Sequence, residues 1–79
     1  MRIRVRLFAG LRELLGCPML TLELPDEATV GDALSSLMRE HAGLGDRRFT
    51  TAVNERYAGA EHLLSDQDEL ALIPPVSGG

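Results

Sequence analysis

Arg2-Ile3-Arg4-Val5-Arg6-Leu7-Phe8 sets charge against hydrocarbon almost to its end. A period of two puts Ile3, Val5 and Leu7 on one side of an extended chain and Arg2, Arg4 and Arg6 on the other. That is a half-buried β-strand over residues 1–8. The period then changes. Leu11, Leu14 and Leu15 stand at i, i+3 and i+4, which predicts a short helix over residues 9–15. Gly16 is placed to end it, and Pro18 prevents its continuation. Residues 19–24 alternate again, with Leu20, Leu22 and Leu24 turned inward and Thr21 and Glu23 outward. The chain thus opens as strand, short helical connection, strand.

Residues 25–28 read as a loop. Thr29, with Asp32 three residues on, has the form of a helix N-cap and its reciprocal acid. Val30, Ala33, Leu34, Leu37, Met38 and His41 recur at helical spacing and predict one amphipathic helix over residues 30–41, ended by Gly43 and Gly45. A third strand is expected over 49–53, a hairpin turn at Asn54-Glu55, and a returning segment over 56–58. Leu63 and Leu64 read as a short apolar anchor, 65–69 as a polar turn and 70–73 as the last strand. The first and last strands are the most apolar and are expected at the centre. A mixed sheet with one main helix across one face is an α+β layer architecture. The ubiquitin-like β-grasp satisfies this order, as do several other small α+β folds. The chain divides into a domain over 1–73 and an extended tail over 74–79.

Seventy-nine residues make one small domain. All eight basic residues are arginine, and against twelve acids they leave a net charge of −4. That balance argues against a nucleic-acid partner, which asks for a basic footprint, and against an anionic membrane surface. Cys17 is the only cysteine, so an internal disulfide and a cysteine-rich zinc site are excluded. One thiol fits the reducing cytoplasm. The alternating N-terminus lacks the apolar core of a signal peptide. No apolar run approaches the roughly 20 residues of a membrane-spanning helix.

No catalytic constellation is legible. His41 and His62 read as exposed surface histidines, and Cys17 as a small apolar filler. Asp66, Asp68 and Glu69 read as a solvated turn, with no metal expected. The arginine stripe is the solvated face of the sheet or a contact for an acidic protein. The ending Pro74-Pro75-Val76-Ser77-Gly78-Gly79 is different. Two prolines fix φ and extend the chain, and two glycines carry no side chain, so the tail can thread a narrow channel. A terminal carboxylate, with an ordinary pKa of about 3.3–3.7, is ionised and a poor electrophile. It needs activation, for instance as a mixed anhydride. Composition alone favours the bland alternative, a frayed terminus.

Arg6-Leu7-Phe8-Ala9-Gly10-Leu11-Arg12-Glu13-Leu14 resembles the opening signature of the small subunit of molybdopterin synthase, and residues 74–79 resemble that family's ending. Thr29-Val30-Gly31-Asp32-Ala33-Leu34 and Ala52-Val53-Asn54 sit where the family has its helix start and third strand. One departure is visible: Asp66-Gln67-Asp68 stands where relatives often have Asp-Gly-Asp, which puts a positive-φ turn in question. The resemblance implies a β-grasp sulfur carrier. A ubiquitin-activating-like adenylyltransferase, using ATP, adenylates the Gly79 carboxylate; a sulfur donor enzyme converts the adenylate to a thiocarboxylate. The tail then enters the large subunit of the synthase and gives its sulfur to a cyclic pterin precursor. On this resemblance the chain binds no cofactor of its own and is not catalytic alone. Carriers for thiamine or tRNA thiolation, a ubiquitin-like protein modifier and an inert interaction module are the competing readings. Strand phase puts Leu70 and Leu72 in the core, and Ile73 with Phe8 on the open face beside the tail, where Tyr57 is expected to join them as a docking patch.

Overall fold

The computed structural model describes residues 1–75. The strands are β1 (Arg2–Leu7), β2 (Met19–Glu23), β3 (Thr50–Val53), β4 (Arg56–Tyr57) and β5 (Glu69–Ile73). The helices are α1 (Ala9–Leu15) and α2 (Val30–Glu40). The sheet runs β2-β1-β5-β3-β4. β1 and β5 are parallel neighbours at its centre, as their apolar character predicts, and the other pairings are antiparallel. One main helix on one face of this mixed sheet gives the expected β-grasp arrangement.

Alternation in β1 is fully expressed: Ile3, Val5 and Leu7 are buried and all three arginines exposed. Leu70 and Leu72 join them from β5, and Val30, Ala33 and Leu37 close the core from α2. The α2 start is a complete capping box. The Thr29 hydroxyl accepts from the Asp32 N–H, and the Asp32 carboxylate accepts from the Thr29 N–H. Gly16 ends α1 in the left-handed region at φ 81°, a conformation that costs glycine nothing. Asn54 and Glu55 both have positive φ, the geometry a two-residue turn needs to match strand twist.

Four expectations need correction. Gly43 and Gly45 do not end α2, which stops at Glu40 with His41 as its C-cap; they belong to a 3-10 turn, Ala42–Asp46, that buries Leu44 completely. A Cβ on Gly43 would stand 3.1 Å from Leu14 Cδ1, so the glycine permits the turn to pack on α1. Met38 is 37% exposed rather than core. The Leu63-Leu64 anchor is half real: Leu64 is buried and Leu63 is 60% exposed, because successive residues of an extended segment face opposite ways. His41, expected on the surface, is half-buried and donates its backbone N–H to the Leu37 carbonyl at the end of α2.

The turn before β5 keeps its positive φ without glycine. Gln67 sits at φ 72°, held by its neighbours. Its N–H donates to the Arg2 carbonyl at 2.7 Å. Asp66 Oδ1 accepts from the Arg2 N–H at 2.7 Å. Asp68 accepts from the Ser65 N–H and from Asn54 Nδ2.

Candidate docking face and tail root

The face of the sheet away from α2 is read row by row from the register. Arg6 lies beside Ala71, Ala71 beside Ala52, and Ala52 beside Tyr57. Two alanines at the middle of a row leave a low floor between taller side chains. Phe8 and Ile73 bound it on the tail side and Tyr57 on the β4 side; Arg6, Glu55 and Glu69 complete a charged rim. The resulting trough has a volume of about 380 Å³. Tyr57 is 77% exposed, and Phe8 and Ile73 are half-buried. Phe8 keeps the phase of β1: although it is the N-cap of α1, its backbone is still extended at φ −124° and ψ 153°, which turns it to the open face with Arg6. The structure therefore brings Phe8, Tyr57 and Ile73 to one depression, at the point where β5 ends and Pro74 begins.

An apolar floor with an aromatic wall can take an apolar side chain from another protein. Within the trough, Arg6 Nη2 stands 3.5 Å from Glu69 Oε2. Elsewhere on this face, Arg2 Nε donates to Glu23 Oε1 at 2.6 Å, which holds the Arg2 guanidinium more firmly protonated. Asp66 lies at the same end of β1, remote from the tail. The Arg2 N–H, with the Gln67 side chain second, holds its carboxyl below the ordinary value of 3.8. The acidic turn is thus occupied: Asp66 and Asp68 bond to backbone and side-chain donors, and Glu69 pairs with Arg6. Cys17 is half-buried and packs against the core.

Pro74 is half-buried and Pro75 exposed. Val76, Ser77, Gly78 and Gly79 lie outside the described residues, and with them the expectations about tail threading and the terminal carboxylate. Sequence reading missed Ala52 and Ala71, the floor of the trough. Alanine gives no signal along one strand; its effect appears only when the register sets the two side by side. It also missed Arg47 and Arg48, which lie with Pro75 around a second depression.

Similarity to known proteins extends along the chain. The model of the ThiS family matches residues 5–79. The molybdopterin synthase sulfur carrier subunit of Arabidopsis thaliana is 42% identical over 79 residues, covering 98% of this chain and 82% of that protein. Small archaeal modifier protein 1 of Haloferax volcanii is 37% identical over 84 residues, covering 94% of this chain and 97% of that one. A crystal structure of SAMP1 from Haloferax volcanii superposes with a TM-score of 0.89 at 32% identity, covering 100% of both chains. A match from Val5 through Gly79 takes in β1 from its middle and every later element described above, and the chain belongs to the ThiS family.

Proposed function

We propose that the chain is the sulfur-carrier subunit of a molybdopterin synthase, with its reacting group at the carboxylate of Gly79. The 42% identity to a relative named as a molybdopterin synthase sulfur carrier subunit, aligned with 98% of this chain, is the observation that carries this reading. The family match, which runs through Gly79, supports it. An ionised carboxylate resists nucleophiles. Attack of a Gly79 oxygen on the α-phosphorus of ATP, inside an adenylyltransferase of the ubiquitin-activating type, releases pyrophosphate and leaves an acyl-adenylate. Sulfide (HS⁻) supplied by a donor enzyme displaces AMP and leaves the thiocarboxylate. Within the large subunit that sulfur attacks a carbon of the cyclic pterin precursor, and water then cleaves its bond to the Gly79 carbonyl, returning the carboxylate and leaving the sulfur on the pterin for the dithiolene. ATP is held by the activating enzyme, and the acids and bases of each step are assigned to partners. This chain contributes an activated carbonyl and a surface that fixes its position. The trough at the tail root suits the positioning role: a partner's apolar side chain seated on Ala52 and Ala71 would set the origin from which the tail is measured.

A second reading has one observation in its favour, the similarity to a small archaeal modifier protein. On that reading a lysine amine of a target displaces AMP from the same adenylate and forms an isopeptide bond. Reconstitution separates the two. The chain is incubated with the activating enzyme, ATP and the sulfur donor, then with the large subunit and the pterin precursor. Dithiolene formation dependent on this chain is the expected result. Lysine conjugates without a thiocarboxylate would replace the carrier reading with the modifier.

A further inference from the structure

Across the tail root from the trough lies a second depression of about 370 Å³, lined by Met38, Arg47, Arg48, Phe49, Thr50 and Pro75. Its lining is part apolar: Phe49 packs on the core, and Met38 is an exposed hydrophobe that α2 does not use for its own packing. Its charge comes from two consecutive exposed arginines. Among the described residues neither has a carboxylate within ion-pair distance, which they share with Arg4, Arg12, Arg39 and Arg56, but only these two are adjacent to each other and to Pro75. Arg47 is also backed by the fold. A Cβ on Gly10 would stand 3.1 Å from Arg47 Nη1, so the bare backbone of α1 leaves room for the guanidinium. Thr50 is the cross-strand partner of Ile73. The two depressions therefore meet where the chain leaves the sheet.

The position of this site matters on the carrier reading, on which the inference rests. Residues 76–79 span at most about 14 Å when fully extended. An enzyme that acts on the Gly79 carboxylate inside a closed site must bring the mouth of that site within this distance of Pro75. The mouth then covers the surface around Pro75, including Arg47 and Arg48. Covering two guanidinium groups that have no ion-pair partner among the described residues with a neutral or basic surface removes their water and returns nothing. A surface carrying carboxylates returns charge-assisted hydrogen bonds. Charged rims act chiefly on association rate and specificity, whereas buried apolar anchors set residence. The carrier must reach the adenylyltransferase afresh for every sulfur it delivers, so a rim that speeds association suits that enzyme.

We propose that Arg47 and Arg48, with Met38 and Phe49 beneath them, form a docking subsite for an acidic segment at the mouth of the adenylyltransferase, carboxylates flanking an apolar side chain.

Carrier-dependent ATP–pyrophosphate exchange by the purified adenylyltransferase of the same organism tests this. The double variant R47Q/R48Q is compared with wild type over a salt series, and R56Q, which removes a positive charge from β4, is the charge control. The double variant is expected to raise the KM for the carrier by about ten-fold at low salt with kcat unchanged, and the gap to narrow as salt screens the pairs. R56Q is expected within about two-fold of wild type, and thermal melting of the variants to match it. Equal KM and equal salt dependence for wild type and the double variant would overturn the subsite. So would an R56Q loss as large as that of the double variant, which would reduce the effect to net charge. Absence of exchange with wild type is a separate outcome: it overturns the carrier reading, and the subsite with it.

Discussion

Ile73 shows how much one residue's phase decides. Leu72, one position earlier, is wholly buried under α2; Ile73 turns to the other face and forms one wall of the trough. Ile73→Asp is expected to weaken binding to the large subunit or the adenylyltransferase by at least about 2 kcal/mol in calorimetry, the scale of an interface anchor. Because the side chain is half-buried, the isolated domain should lose only about 1 kcal/mol of stability. Unchanged affinity for both proteins would remove the trough from the interface. Asp66 supplies a pH signature. Its native carboxyl titrates below the ordinary 3.8, so its contribution to stability is complete above that value and is lost as pH falls through the lower native one. Asp66→Asn should melt below wild type at neutral pH, with the difference closing under acid conditions. A constant gap across that range would show that the Arg2 hydrogen bond is not what lowers it.

At the scale of elements, sequence and structure agree where a local rule and the core demand the same thing. β1 was legible because burial on one face imposes a period of two. α2 was legible because Thr29 and Asp32 mark its start and Val30, Ala33 and Leu37 its buried stripe. What escaped depends on contacts between distant segments. The 3-10 turn at Ala42–Asp46 exists because Leu44 has a place in the core and Gly43 can touch Leu14; along the sequence, paired glycines only read as a stop. The Gln67 turn likewise survives through hydrogen bonds to Arg2, more than sixty residues earlier. Gln67→Gly should relieve a left-handed conformation that costs a side-chain-bearing residue about 1–2 kcal/mol, less the added flexibility of the unfolded chain. A modest rise in melting temperature is expected; a fall would mean that the Gln67 side chain contributes more than its backbone costs.

For the molecule as a whole, the fold serves to place one chain end. The central parallel pair β1-β5 sends the chain out of the sheet at Pro74, between an apolar trough and a basic rim. The trough was partly legible, since strand phase named Phe8 and Ile73 and the predicted hairpin set Tyr57 beside them; its alanine floor was not, because Ala52 and Ala71 come together only through the β3-β5 register. Extending the tail by one residue beyond Gly79 should leave melting unchanged and abolish sulfur transfer, because a displacement of about 1 Å at a reacting centre can cost about a hundredfold. Full turnover from the extended chain would show that the partner site does not measure the tail. The central claim is that Gly79 carries sulfur on its own carbonyl. Intact-mass spectrometry of the protein purified from its native cells, followed by fragmentation of the C-terminal peptide, reads that atom directly. A fraction of molecules with one oxygen exchanged for sulfur, localised to Gly79, is the predicted result. A C-terminal carboxylate in every molecule, with the chain recovered instead in isopeptide linkage to lysines of other proteins, would contradict it.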